Sequence, residues 1–452
     1  MSRDGTGAVV ITATDSARDQ ERAAGALRAR GLREGDRVAL VAGSSAEYLA
    51  LALGALRTGI VPVLLHPALT PEEQRVLLED AVPALVLRGD EVTGFVDAAR
   101  DAHAHADLAP FPRSRPMLYT SGTTGTPKGV WTGLLSDADA AALALDEREA
   151  WGFHAEEVHI VASPLHHSAP MRFAAGVLLA GGTVVIPGPF DAGTFTAALA
   201  EHRPTNAFLV PAHLHRLFAH ADATGSALPL DSFRRVAHAG SACPEPLKRR
   251  ALDAFPAGSL WEFYGSTEGQ FTVCTPEEWL ERPGTVGRAR PGRTLAIDED
   301  DLIWCRVPSF ARFEYWRDAD RTAAAWRNGA FSVFDIGSLD ADGYLFLDGR
   351  RDDLIITGGV NVYPLEVERA LLGVPGVTDV SVFGAPDERW GDRVCAAIVG
   401  RADDATLDAW AREHLAPHKR PKQYVHVEAI PTNTMGKVRR SRLAEDLGVT
   451  DR

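Results

Sequence analysis

Residues 118–130 read LYTSGTTGTPKGV: an apolar approach that gives way to a loop of Ser, Thr and Gly closed by Pro127 and Lys128. Glycines 122 and 125 free the backbone so that several N–H groups can point into one concavity, and Thr120, Ser121, Thr123 and Thr124 add hydroxyl donors. Lys128 adds positive charge, so the segment suits a polyphosphate. It is not the Walker loop, because that pattern needs a hydroxyl residue after its lysine to hold magnesium and here Gly129 follows Lys128. Taken alone, such a stretch reads either as a phosphate cradle or as a flexible linker.

Outward from the loop, short apolar runs alternate with segments of helical period. Residues 37–42 read as strand, 46–56 as helix and 60–65 as strand; 158–162, 172–179, 183–187 and 194–201 repeat strand, helix, strand, helix. That order predicts an α/β fold with doubly wound, largely parallel sheets. The proline-rich stretch 106–115 reads as a surface connection between subdomains. The charged patch GRRDD at 349–353 marks the main boundary, giving a core domain over 1–351 and a small α+β domain over 352–452. Its elements are strands near 379–384 and 394–399 and helices near 365–372 and 407–414.

Composition narrows the classes. With 47 basic and 61 acidic residues among 452, a net charge of −14, nonspecific nucleic-acid binding is not expected. An apolar share of 45% is that of a globular protein. The four cysteines show no CxxC pairing, the N-terminus has no signal-peptide core, and no stretch reaches about 18 apolar residues. The expectation is therefore a cytoplasmic protein with reduced thiols and no membrane partner, either monomer or homodimer.

Four further segments follow in order: FYGSTEG at 263–269, Asp335 in FSVFDIG, GRRDD, and Lys437 in IPTNTMGK. Together with TSGTTGTPKG they resemble the signatures of the adenylate-forming superfamily, which includes acyl-CoA synthetases, peptide-synthetase adenylation domains and luciferases. The resemblance covers most of the chain. It implies ATP and Mg²⁺, with Tyr264 flat against the purine, Gly265 and Ser266 close to the nucleotide, Thr267 at the α-phosphate and Glu268 holding the metal. Gly240, Ser241 and Ala242 would line the adenine pocket, Asp335 would accept the ribose hydroxyls and Arg350 would reach the ribose. Lys437 would contact both the reacting carboxylate and the α-phosphate, and Asp352 would be the hinge about which the small domain swings.

Other matches concern acid and acceptor. The acid pocket is expected from His166, His167, Arg172, Val210, His213, His238 and Ala239, with His167 as its gate; several of these histidines read equally well as buried structural groups. Coenzyme A is the expected acceptor, with Gly358 and Gly359 beside its thiol arm, Trp390 stacked on its adenine and Lys419 and Arg420 at its phosphates. Trp390 reads alternatively as packing, and the cations as a solvated patch. Two stretches, 87–116 and 284–315, are short for the family. An atypical acid or acceptor stays open: a carrier-protein thiol, an amine, or nitrite for N–N bond formation. A nucleotide- or acyl-binding regulator without turnover is the alternative from another class.

Overall fold

The computed structural model describes residues 2–3, 7–120, 128–350, 353–357, 360–387, 390–432 and 438–449. Ser121, Gly122, Thr123, Thr124, Gly125, Asp352, Gly358, Gly359 and Lys437 lie outside the described residues, as does the side chain of Arg350. The chain forms two compact units, residues 1–294 with 305–331 and residues 295–304 with 332–452. Compactness and pivoting are different properties, so the 351/352 boundary remains an expectation about movement.

In the first unit, β1 (Val9–Thr12) and α1 (Ala13–Ala29) precede β2 (Arg37–Val41), α2 (Ala46–Arg57), β3 (Val61–Leu65) and β4 (Leu85–Arg88). Then come β5 (Met117–Thr120), β6 (Lys128–Trp131), α3 (Asp137–Trp151), β7 (Val158–Val161), α4 (Ser168–Leu179) and β8 (Thr183–Ile186). The run continues with β9 (Asn206–Leu209), α5 (Pro211–Thr224), β10 (Arg235–His238), α6 (Glu245–Ala254), β11 (Leu260–Glu262) and β12 (Glu314–Tyr315).

Two sheets result. One has the order Ser2–Arg3, β1, β8, β7, β9, β10, β11, with β8 through β11 parallel. The other runs β12, β6, β5, β3, β2, β4, in which β2 to β5 are parallel and β6 turns back on β5. Parallel strands bury both faces and so read as unbroken apolar runs: VPVLL of β3 is buried at all five positions. Between the sheets, α1, α2 and α4 share one core that includes Leu27, Leu49, Leu53, Phe173 and Val177. Ten of the twelve residues of α2 are buried, which its sequence AEYLALALGALR permits without stranding a charge. Gly54 lets α2 and α1 meet, since a Cβ there would stand 2.5 Å from the Gln20 carbonyl oxygen.

The second unit carries the hairpin β13 (Asp335–Leu339) and β14 (Tyr344–Arg350), turned at Asp340, whose Oδ1 accepts the N–H groups of Asp342 and Tyr344. After it come β15 (Ile355–Thr357), β16 (Val360–Val362), α7 (Pro364–Leu371), β17 (Val377–Asp387), β18 (Gly391–Gly400), α8 (Asp404–His414) and β19 (Gln423–His426). The long antiparallel pair β17–β18 packs α7 and α8 through Val367, Leu371, Val382, Ile398 and Leu407, giving the small α+β body expected. No helix among the described residues is long and apolar enough to cross a membrane.

Candidate active site

In a parallel sheet every strand delivers its following loop to the same edge. Here that edge gathers 162–167 after β7, Val210 after β9, 239–242 after β10 and Phe263 onward after β11. The acid-pocket and adenine-pocket candidates thus meet because of strand direction.

FYGSTEG departs from a simple strand-to-loop exit by folding back as a hairpin. Gly265 bridges Gln270, the Ser266 N–H donates to the Gly269 carbonyl at 2.8 Å, and the Phe271 N–H donates to the Tyr264 carbonyl at 2.9 Å. A Cβ at Gly265 would lie 2.8 Å from the Gly269 oxygen, and one at Gly269 would lie 2.8 Å from the Phe331 ring. Both glycines serve the hairpin's own packing. Tyr264 is buried against Phe271 with ring centroids 4.7 Å apart.

The hairpin also buries Glu268, whose Oε1 accepts the phenol of Tyr315 at 2.9 Å. Tyr315 lies on β12, paired residue for residue with Val130 on β6. Lys128 starts β6, and its ammonium stands 5.3 Å from the Tyr315 ring centroid. Thr120 and Lys128, which flank the Gly/Thr loop, are cross-strand partners. One tyrosine therefore joins the loop lysine to the candidate metal carboxylate. Sequence reading missed it; its signal, an EYW triplet far from the other motifs, becomes meaningful only once β12 adds to the second sheet. A carboxylate buried beside one phenol keeps lone pairs for a hard cation, so Glu268 fits the magnesium implied by the family.

The histidines divide. His167 is the N-cap of α4, and its ring lies 4.4 Å from His166, which in turn meets His66 at 4.5 Å. Burial, then His167 and His66, push His166 down to about 3, so it is neutral. His213 stacks on Phe190 at 4.2 Å and accepts the Val210 N–H through Nδ1; burial holds it near about 4. His238 is fully buried, its Nε2 against the Lys248 ammonium, which also lies 3.3 Å from Glu262. Burial first and Lys248 second keep His238 neutral, and burial raises Glu262. Ala239 is buried, while Gly240 takes φ +98° and is exposed with Ser241. Arg172, on α4, donates to Ser168 at 3.2 Å. Thr267 is half-buried.

In the second unit Asp335 is buried and stands directly across the hairpin from Arg350, so the two ribose candidates are cross-strand neighbours. Trp390 is exposed at 38%, with its N–H on Asp387. Lys419 pairs with Glu366. Arg420 donates to the carbonyls of Leu415 and Arg412 at the end of α8, an engagement that sequence alone does not reveal.

Residues 7–303 match the AMP-binding enzyme family and 366–437 the AMP-binding enzyme C-terminal domain. An indoleacetate–CoA ligase of Aromatoleum aromaticum is 32% identical, covering 93% of this chain and 90% of the relative. A fatty acid–[acyl-carrier-protein] ligase of Streptomyces coeruleorubidus is 30% identical over 95% and 90%. Among solved structures, an o-succinylbenzoate CoA synthetase of Bacillus subtilis holding its acyl-adenylate intermediate superposes with a TM-score of 0.82 at 26% identity, covering 95% and 92%. The same enzyme with ATP and magnesium ion gives 0.81. Strand-edge convergence, a buried carboxylate tied to the loop lysine, and matches along both units lead to one assignment: the chain belongs to the AMP-binding enzyme family of the adenylate-forming superfamily and is an AMP-forming, acyl-CoA synthetase-like enzyme.

Proposed function

We propose that the enzyme activates a carboxylic acid by in-line attack of its oxygen on the α-phosphorus of ATP, releasing pyrophosphate, and then passes the acyl group to the thiol of coenzyme A. A carboxylate is a poor acyl donor because oxide would have to leave; esterification to AMP turns that oxygen into part of a good leaving group. The observation that carries the reading is the Lys128–Tyr315–Glu268 chain beside the Gly/Thr loop. Negative charge grows on the phosphoryl oxygens during the attack, and catalysis consists mainly of placing fixed positive charge there. Magnesium held by Glu268 would supply that neutralisation when bound.

Lys128 and the loop residues 121–125 hold the phosphates, Thr267 the α-phosphate, and Tyr264 with 240–242 the adenine. Asp335 and Arg350 hold the ribose. Lys437 serves the first step and is withdrawn in the second by rotation at Asp352. The cytoplasm, where ATP and CoA occur together, is the proposed location.

For the acceptor, Trp390 is exposed as an adenine platform requires. Arg420, with its guanidinium on helix carbonyls, offers less to phosphates than its sequence suggests. That observation and the carrier-protein relative support a phosphopantetheine arm as the second reading. An acid panel scored by pyrophosphate release, with and without CoA and with mass analysis of products, tests both. An acid-dependent AMP ester that becomes a CoA thioester supports the first reading. An ester that only a carrier thiol discharges supports the second, and the absence of any AMP-linked product from every acid overturns both.

A further inference from the structure

Helix α3 brings Asp146 and Glu147 into the first unit's interior, where four guanidiniums, those of Arg115, Arg172, Arg290 and Arg293, face them. Arg293 clasps Asp146 with both terminal nitrogens, at 2.7 and 2.9 Å, and Arg290 reaches the same carboxylate at 3.0 Å. Glu147 is shared among Gln270 at 2.8 Å, Trp151 at 3.1 Å, Arg290 at 3.5 Å and Arg172 at 3.7 Å. Two carboxylates thus answer four cations, an excess of two positive charges.

A surplus of this kind, largely away from water, is destabilising for each unpaired ion unless an anion joins it. The Arg290 side chain is 0% exposed, yet among the described residues its Nε and Nη1 have no hydrogen-bond partner, Nη1 standing 3.5 Å from Glu147, and neither has Nε of Arg293. The strain registers on the neighbours. Burial and then Arg172 bring Arg115 down to about 10, while burial raises Glu147 but the arginines outweigh it and hold it below its ordinary value.

The cluster is sealed at one end and open at the other. Arg290 and Arg293 are 0% and 2% exposed, whereas Arg172, Asp146 and Glu147 are 14%, 14% and 13% exposed and Arg115 is half-buried. Arg172 stands on α4 one turn from Ser168, which follows the helix cap His167, and Gln270, which holds Glu147, lies two residues beyond Glu268. The Arg172 end of the cluster therefore adjoins both the acid-pocket segment and the nucleotide hairpin. We propose that Arg172, backed by Arg115, Arg290 and Arg293, forms an anion subsite there, and that the acid which this enzyme activates carries a second oxyanion group, a carboxylate remote from the reacting one. The proposal rests on the acid-activating reading above and narrows its substrate to dianionic acids.

The test pairs acids of like shape: terephthalate with 4-methylbenzoate, and succinate with butanoate. Each is titrated calorimetrically into the full-length enzyme and assayed for ATP-dependent pyrophosphate release. At least one diacid is expected to bind and react tenfold or more better than its partner. In Arg172→Gln, shown folded by its melting curve, the diacid-to-monoacid ratio of kcat/KM is expected to fall at least tenfold, chiefly through KM, and Arg172→Lys should restore part of it. Equal handling of both members of each pair, or equal loss of both in Arg172→Gln, overturns the subsite while leaving acid activation standing. Conversely, tenfold tighter binding of a diacid that is lost in Arg172→Gln, with no AMP ester from any acid, keeps the subsite and overturns the activation reading.

Discussion

Tyr315 shows how one side chain can tune two charges at once. Its phenol donates to Glu268 and its ring faces Lys128. A hydrogen bond to a charged group contributes about 1.5–3 kcal/mol, and Tyr315→Phe removes that bond while leaving the ring over the lysine. The magnesium concentration for half-maximal pyrophosphate release should rise about tenfold or more, since about 1.4 kcal/mol is a factor of ten. The melting temperature should fall as well, because the bond is buried, and an unchanged magnesium titration would refute the link. Lys437 is tested by its selectivity: Lys437→Ala should abolish acid-dependent pyrophosphate release yet spare thioester formation from supplied acyl-adenylate. Equal loss of both steps would defeat the two-orientation scheme.

Among the elements, the FYGSTEG hairpin is the piece whose internal packing fixes the site. Gly265 has only 2.8 Å to spare for a Cβ against the Gly269 oxygen and 3.1 Å against the Gln270 Cα. Overpacking of this kind typically costs about 1–3 kcal/mol, so Gly265→Ala should lower the melting temperature and raise KM for ATP together. A variant that weakens ATP binding at unchanged stability would mean that the glycine clears space for the nucleotide instead. The hinge belongs to this scale as well. Asp352→Pro fixes a backbone angle in the connecting segment and should spare adenylation while slowing thiol transfer; full retention of transfer would count against a pivot there.

Across the whole molecule, buried neutral histidines make stability depend on pH. His159, bonded to Asn206 at 2.7 Å, is held down to about 4 by burial, as is His213. A folded-state value below the unfolded one means that the unfolded chain takes up protons the native state refuses. Stability is therefore fullest above about pH 6.5 and is lost as pH falls toward 4. At pH 5 each such histidine costs about 2 kcal/mol relative to neutral pH. Thermal melts at pH 7.5 and pH 5 should differ by several degrees, and His159→Gln, which can still bond Asn206, should narrow the gap; an unaltered gap would assign the acid sensitivity to other groups.

The α/β alternation was legible in the chain because parallel strands must be apolar throughout, and helices such as 46–57 must present an apolar surface to both sheets. The motifs were legible because phosphate and metal chemistry admits few residue types. What the chain could not declare was contact between distant segments. The Tyr315–Glu268 bond joins a strand of the second sheet to the bend of the 263–271 hairpin, the engagement of Arg420 with helix carbonyls depends on a local turn, and the arginine excess around Glu147 is assembled from residues 115, 172, 290 and 293. Pattern is a property of neighbours along the chain, so sequence alone determined the kind of fold and the class of chemistry. Charge balance, burial and hydrogen-bond pairing are properties of neighbours in space, and only the tertiary structure decided which cations are spent on the protein.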